Sequence, residues 1–297
     1  MGDIFYMPEI VLYNTNSNNK VRVFDVTYRQ EKDRSWPARI YLPEKQGPLP
    51  ALLDVHGGAW TWGGCTDNEK IDRSLAVSGL VVLAIECRKA PEYTYPSQVM
   101  DVNYATRWLK AHAGDFNSIP DCVGGLGTSS GGHALLLSAM RPDDARYNAL
   151  GLSEGENLNA RLSYLIAAWP VIDPYARYLF AKENNRDSLV EATESYFLSH
   201  AAMKEGNPLL ALERREQLDL PPALIIQGTA DNNVPLDAAD RFVEAYRAAG
   251  GALDIKWFSN MPHGFARKPG EESDSAVEMM KNFVCRQLSG VGGQGCP

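Results

Sequence analysis

Histidine is scarce in this chain, with five copies among 297 residues, and cysteine is equally scarce. Cys65, Cys87, Cys122, Cys285 and Cys296 form an odd set without a CxxC pair, so they offer no zinc pattern and suit reduced thiols. No compact run of Lys or Arg offsets the formal net charge of -8, which argues against nucleic acid or an anionic membrane as the main partner. No apolar run approaches the length of a bilayer span. The opening MGDIFYMPEI has neither a basic nor an apolar signal region, and Tyr6 stands where a myristoylation signal needs Ser or Thr. The expectation is a cytoplasmic protein without internal repeats.

What is present is ordinary for a globular chain: 44% hydrophobic and 22% charged residues. Val21 to Tyr28 and Ala38 to Leu42 predict an antiparallel pair of strands. Buried strands then alternate with helices. Strands are expected at Ala51 to Val55, Leu80 to Ile85, Val123 to Leu126, Leu162 to Ile172, Ala223 to Gln227 and Asp254 to Phe258. Helices are expected over 67–78, 97–112, 237–249 and 271–288, with another following Ser130. This alternation predicts an α/β fold, a mostly parallel twisted sheet of about eight strands with helices on both faces. One domain over 1–297 is expected, with a polar excursion at 141–159, a weakly helical, aromatic-rich lid or excursion at 173–210 and a flexible tail at 289–297.

The most informative stretch is CVGGLGTSSGGHALLLSAM, from Cys122 to Met140. A strand entering a helix through Gly127-Thr128-Ser129-Ser130-Gly131 has the form of a nucleophile elbow, a sharp turn that lifts a serine hydroxyl out of the sheet. The bland alternative is a Gly-rich turn with Ser129 as a helix cap.

A serine hydroxyl needs a base, and the base needs an orienting group. His56 lies in a Gly-rich loop, His112 ends a helix, His133 lies on the elbow helix and His200 falls in the excursion. Only His263, in Met261-Pro262-His263-Gly264-Phe265, follows the carboxyl end of a late strand. Asp231, at the end of ALIIQGTAD, is the candidate acid. Asp237 is its rival, but it begins a helix and suits a first-turn role. The order Ser129, Asp231, His263 is that of the α/β-hydrolase fold. His56-Gly57-Gly58 directly after a strand suits an oxyanion loop. Gly57 and Gly58, together with Ser130, are the candidate N–H donors. This scheme requires no metal and no organic cofactor.

On His56-Gly57-Gly58-Ala59-Trp60, Cys87 to Glu92 with Pro96 and Asp101, Gly127 to Gly132, Gly228 to Asp231 and Pro262 to Phe265, the chain resembles the hormone-sensitive-lipase-like esterases. Their kynurenine formamidase-like and feruloyl-esterase-like relatives share these motifs. The resemblance implies an α/β-hydrolase fold and a carboxylesterase-like serine hydrolase. Three departures accompany it. Ala59 replaces a third glycine of the HGGG loop, and Thr128 stands where Asp or His is common. The segment before the first strand is short for a two-helix cap, so the site is open or is covered by 173–210 or by a second subunit in a homodimer.

Trp60, Trp62, Tyr93 and Trp169 are the candidate substrate-binding residues, as walls of an aromatic pocket to which Tyr95 and Tyr175 could add. Packing is the competing role for each. With no basic cluster in the sequence to receive a phosphorylated or strongly acidic substrate, the expected substrate is a small to medium ester with an apolar acyl or aromatic part, with an N-formyl or other activated amide as the alternative. A relative of another class is non-catalytic binding, as in the plant gibberellin receptors.

Overall fold

The computed structural model describes residues 13–153 and 157–289. It contains one eight-stranded sheet, ordered β1-β2-β4-β3-β5-β6-β7-β8. The strands are β1 (Val21–Glu31), β2 (Arg34–Pro43), β3 (Leu49–Val55), β4 (Val81–Ile85), β5 (Ser118–Thr128), β6 (Leu165–Ala168), β7 (Ala223–Gly228) and β8 (Leu253–Phe258). β2 pairs antiparallel with β1 and β4, and every pairing from β4 onward is parallel.

The parallel strands read as unbroken apolar runs because helices cover both faces. Alternate residues of β3 point to opposite sides. Ala51, Leu53 and Val55 pack with α2 (Ser97–Ala111), α3 (Ser130–Met140) and α8 (Asp237–Ala248), through Val102, Leu135 and Phe242. Leu52, with Val82 and Leu126, packs with α1 (Glu69–Val77) and α9 (Glu271–Leu288), through Leu75, Val277 and Phe283. This two-sided burial makes the strands rigid and leaves their carboxyl ends as the place where loops can be held.

Three expectations need correction. The strand expected over Leu162 to Ile172 is confined to Leu165–Ala168, because Trp169 turns into the left-handed region at φ 41° and Pro170 has no N–H for the ladder. The 173–210 segment forms four helices: α4 (Pro174–Glu183), α5 (Asp187–Phe197), α6 (His200–Glu205) and α7 (Pro208–Glu213). Asp173, Ser199 and Asn207 cap α4, α6 and α7 by accepting from the N–H groups of Ala176, Ala202 and Leu210. Cys65, Cys87 and Cys122 are free thiols, but Cys285 is joined in a disulfide, so the reading of five reduced thiols does not hold. The expected flexible tail lies outside the described residues from 290 onward.

Candidate active site

Four loops beyond the carboxyl ends of β3, β5, β7 and β8 carry Gly57, Ser129, Asp231 and His263. Ser129 sits between β5 and α3 with φ 53° and ψ −119°, a backbone conformation that costs a non-glycine residue about 1–3 kcal/mol. Its surroundings hold it there. The Ser129 N–H donates to the Ala168 carbonyl at 3.0 Å, and its carbonyl accepts from the Val171 and His133 N–H groups at 3.0 and 3.2 Å. Gly131 is required by space, since a Cβ there would lie 2.2 Å from the Val55 carbonyl oxygen.

The strained turn aims the hydroxyl at His263, whose Nε2 lies 2.9 Å from Ser129 Oγ. On the other side of the ring, Nδ1 lies 2.7 Å from Asp231 Oδ2. A carboxylate can only accept, so Nδ1 carries the proton and Nε2 is left to accept from the serine. Asp231 is fixed in turn by the Gln227 amide at 2.8 Å and the Asn233 N–H at 2.8 Å. Burial pushes its carboxyl up, but the bonds from His263, Asn233 and Gln227 outweigh this and leave it below the usual range. It therefore stays ionised to orient the imidazole. Asp237 heads α8, in the first turn of that helix.

The loop after β3 turns back through three successive positive φ angles, at Gly58 (113°), Ala59 (45°) and Trp60 (64°). The Gly58 carbonyl closes it by accepting from the Thr61 and Trp62 N–H groups at 2.9 and 3.0 Å. A Cβ on Gly58 would lie 2.0 Å from the Trp62 carbonyl oxygen, so only glycine fits. Gly57 runs so close to Ser129 that a Cβ on it would approach Ser129 Cβ to 3.0 Å. Ser130 opens α3, where the first N–H groups have no intrahelical partner.

Gly58, Ser129 and His263 line a cleft of about 150 Å³, with Trp62, Asp67 and Arg267 at the loops and Arg177 and Leu189 contributed by α4 and α5. A larger depression of about 690 Å³ elsewhere holds paired charges, among them Arg141 with Glu205 and Glu216, and no nucleophile.

Of the four aromatic candidates, the cleft contains Trp62 alone, which is 48% exposed. Trp60 is fully buried, stacked parallel to Tyr196 at 5.4 Å and bonded through Nε1 to His133 Nδ1 at 3.2 Å. Trp169 is also fully buried, packing edge-on behind His263 at 6.4 Å and against Phe265 at 5.6 Å. Tyr93 is taken up with Trp36, Arg34 and Arg88. Apolar bulk at strand ends is needed to seal the core under the loops, and three of the four serve that need. Tyr95 is likewise engaged by Tyr147 and Glu205, each at 2.7 Å, and Tyr175 by Tyr178 and His200.

His133 and His56 are buried and bonded within the fold. His133 is buried and held neutral, burial drawing it down to about 4, with Nε2 donating to the Gly206 carbonyl at 2.7 Å. His56 donates through Nδ1 to the Gly57 carbonyl at 2.6 Å. Thr128, in the place where Asp or His is common, shares a hydrogen bond with Asn68 at 3.3 Å, and Asn68 donates to buried Asp54 at 2.9 Å. Sequence reasoning missed Gln227, Asn233, Asn68 and Arg177. Gln227 could have been found as the polar residue ending an apolar strand beside the acid. Arg177 carried no signal, since a single Arg on a weakly amphipathic helix looks like a solvent-facing one.

Comparison with known proteins agrees with this geometry. Residues 38–246 match the family model described as BD-FAE. The chain belongs to the BD-FAE family. This BD-FAE member is 28% identical over 82% of its length to the esterase LipC of Mycobacterium tuberculosis, covering 59% of that protein. It is 30% identical over 77% of its length to the carboxylic ester hydrolase LipN of the same organism, covering 60% of it. It thus spans about three fifths of these curated relatives. The solved structure of EstE1, a carboxylesterase cloned from a metagenomic library, superposes with a TM-score of 0.74 at 25% identity, covering 92% of this chain and 90% of that one. The fold is the α/β-hydrolase fold.

Proposed function

We propose that this chain is a serine esterase that hydrolyses small carboxylic esters through an acyl-enzyme on Ser129. The observation that carries the reading is the single line from Asp231 Oδ2 through His263 to Ser129 Oγ, with contacts of 2.7 and 2.9 Å at a backbone-strained serine facing a cleft. Ser129 Oγ attacks the ester carbonyl as His263 Nε2 takes its proton. The N–H groups of Gly57, Gly58 and Ser130 receive the developing oxyanion, each contributing about 2.7–4 kcal/mol to the transition state. His263 returns the proton to the departing alcohol. Water then gives its proton to His263 and attacks the acyl-enzyme, and His263 returns that proton to Ser129 Oγ as the acid is released. The esterase and carboxylic ester hydrolase names of LipC, LipN and EstE1 support the same reaction class, and the small cleft favours short chains over long ones.

The test is hydrolysis of p-nitrophenyl acetate and butyrate, together with labelling by a fluorophosphonate probe. Ser129→Ala should lose both labelling and about 10⁶-fold in kcat while melting as the parent does. Undiminished turnover in that variant would refute the assignment.

A further inference from the structure

The cleft contains a cation that has no ion-pair partner among the described residues, its guanidinium lying over the Trp60 ring at 5.6 Å. Arg177 on α4 is 1% exposed, yet it lines the same cleft as Ser129 and His263. Its bonds go to neutral acceptors: Nη1 donates to Thr193 Oγ1 at 2.7 Å and to the Leu189 carbonyl at 3.3 Å, and Nη2 to Asn233 Oδ1 at 3.3 Å. Buried Nε has no hydrogen-bond partner. Among the described residues no carboxylate forms an ion pair with it, in contrast to Arg29 and Arg88, which have Asp101; buried Arg107 likewise donates to the neutral acceptors Asn103 Oδ1 and the Leu150 carbonyl, but it lies outside the cleft. The nearest electrostatic influence is Asp231, whose oxygens are taken by His263, Gln227 and Asn233.

We infer that Arg177 is a specificity-determining residue that receives an anion on the substrate, so that the preferred ester carries a carboxylate on its acyl or alcohol part. The chemistry is that of charge-assisted, partly bidentate recognition, to which a guanidinium is better suited than an ammonium. Asn233 ties the two functions together, its N–H bonded to Asp231 and its side-chain oxygen to Arg177. Arg267 adds a second positive charge at the rim against one negative charge from Asp67. This departs from the sequence-based expectation of an apolar or aromatic ester, which rested on the lack of a basic cluster in the sequence. Desolvation lowers Arg177 only to about 10, so it remains a cation at neutral pH.

This inference rests on the esterase reading, and the test separates the two. In one arm, p-nitrophenyl hydrogen succinate is compared with p-nitrophenyl 4-methylpentanoate, where an isopropyl group replaces the carboxylate, with spontaneous hydrolysis subtracted. In the other, 3-acetoxypropanoate is compared with 3-methylbutyl acetate by acid release. The expected result is a preference in kcat/KM for the anionic ester of about ten- to a hundredfold in at least one arm, which also assigns the carboxylate to acyl or alcohol. Arg177→Met should bring the anionic-to-neutral ratio to about one or below, and Arg177→Lys should restore part of it. Should either variant melt out, the wild-type ratio still decides. Neutral esters cleaved with no anionic preference in either arm overturns the inference and spares the esterase. No turnover of any ester and no fluorophosphonate labelling overturns the esterase reading itself.

Discussion

Two buried guanidinium sites in this molecule are built on opposite terms. Behind the sheet, Asp101 on α2 accepts from the Arg88 backbone N–H and Nε, each at 2.8 Å, and from Arg29 Nη1 at 3.3 Å, so charge is balanced inside the fold. Beside the nucleophile, Arg177 has three neutral acceptors and an unused Nε. Removing a charge from water costs on the order of several kcal/mol, and a buried charge is retained cheaply only when a counter-charge comes with it. The Asp101 node therefore serves the fold. The Arg177 node leaves its balance to whatever enters the cleft, and the stability it forgoes is offset by two-sided packing elsewhere in the sheet.

The strongest way to break this contrast is to show that Asp231 is the hidden counter-charge of Arg177. Asp231→Asn keeps the shape and removes the charge. If Asp231 serves His263, kcat should fall by about 10⁴-fold, because the amide cannot hold the imidazole in the productive tautomer, while the melting temperature changes little. A large loss of stability with modest loss of turnover would instead place Asp231 with Asp101. Asp101→Asn is the converse experiment. It leaves Arg88 without a carboxylate and Arg29 with Glu31 alone, so unfolding free energy should drop by about 3–5 kcal/mol in denaturant titrations. Turnover per folded molecule should stay near the parent value.

The same contrast explains what the sequence could reveal. Ser129, Asp231 and His263 were legible because an elbow, a strand-end acid and a late strand-end histidine are local patterns with a required order, and only five histidines competed. The sheet was legible because buried parallel strands are continuous apolar runs. The aromatic wall was misjudged, since Trp60 and Trp169 at strand ends have the same local setting whether they face a ligand or seal the core, and only three-dimensional packing against Tyr196 and Phe265 decides. The four helices after Asp173 were blurred because they are short, from 6 to 11 residues; α4 to α6 bury faces against one another and Trp60, and α7 joins the core beside α3 and α8. Their Asp-Pro and Asn-Pro caps were the available signal. Arg177 could not be read at all, because pairing is a property of the surroundings and not of the residue.

A third buried cluster sharpens the contrast at the smallest scale. Asp54 and Asp72 are both buried without a cation partner among the described residues, and neither oxygen of Asp72 has a hydrogen-bond partner. Unlike an arginine, an aspartate can shed its charge by binding a proton. Burial raises Asp54 to about 7, and burial followed by the charges of Asp54 and Glu69 raises Asp72 well above the usual range. These protons are held in the folded state and released on unfolding once the pH exceeds the ordinary aspartate value of about 4. Their stabilisation is complete below that pH and is lost as the pH climbs, through about 7 for Asp54 and beyond it for Asp72. Asp72→Asn fixes the neutral form and removes one share of that slope. Its unfolding free energy relative to the parent should therefore improve as the pH rises above the ordinary aspartate value, by up to about 1.4 kcal/mol for each pH unit. Parallel curves for the two proteins across that range would mean that Asp72 stays charged when buried, and an uncompensated charge at Arg177 would then lose its distinction.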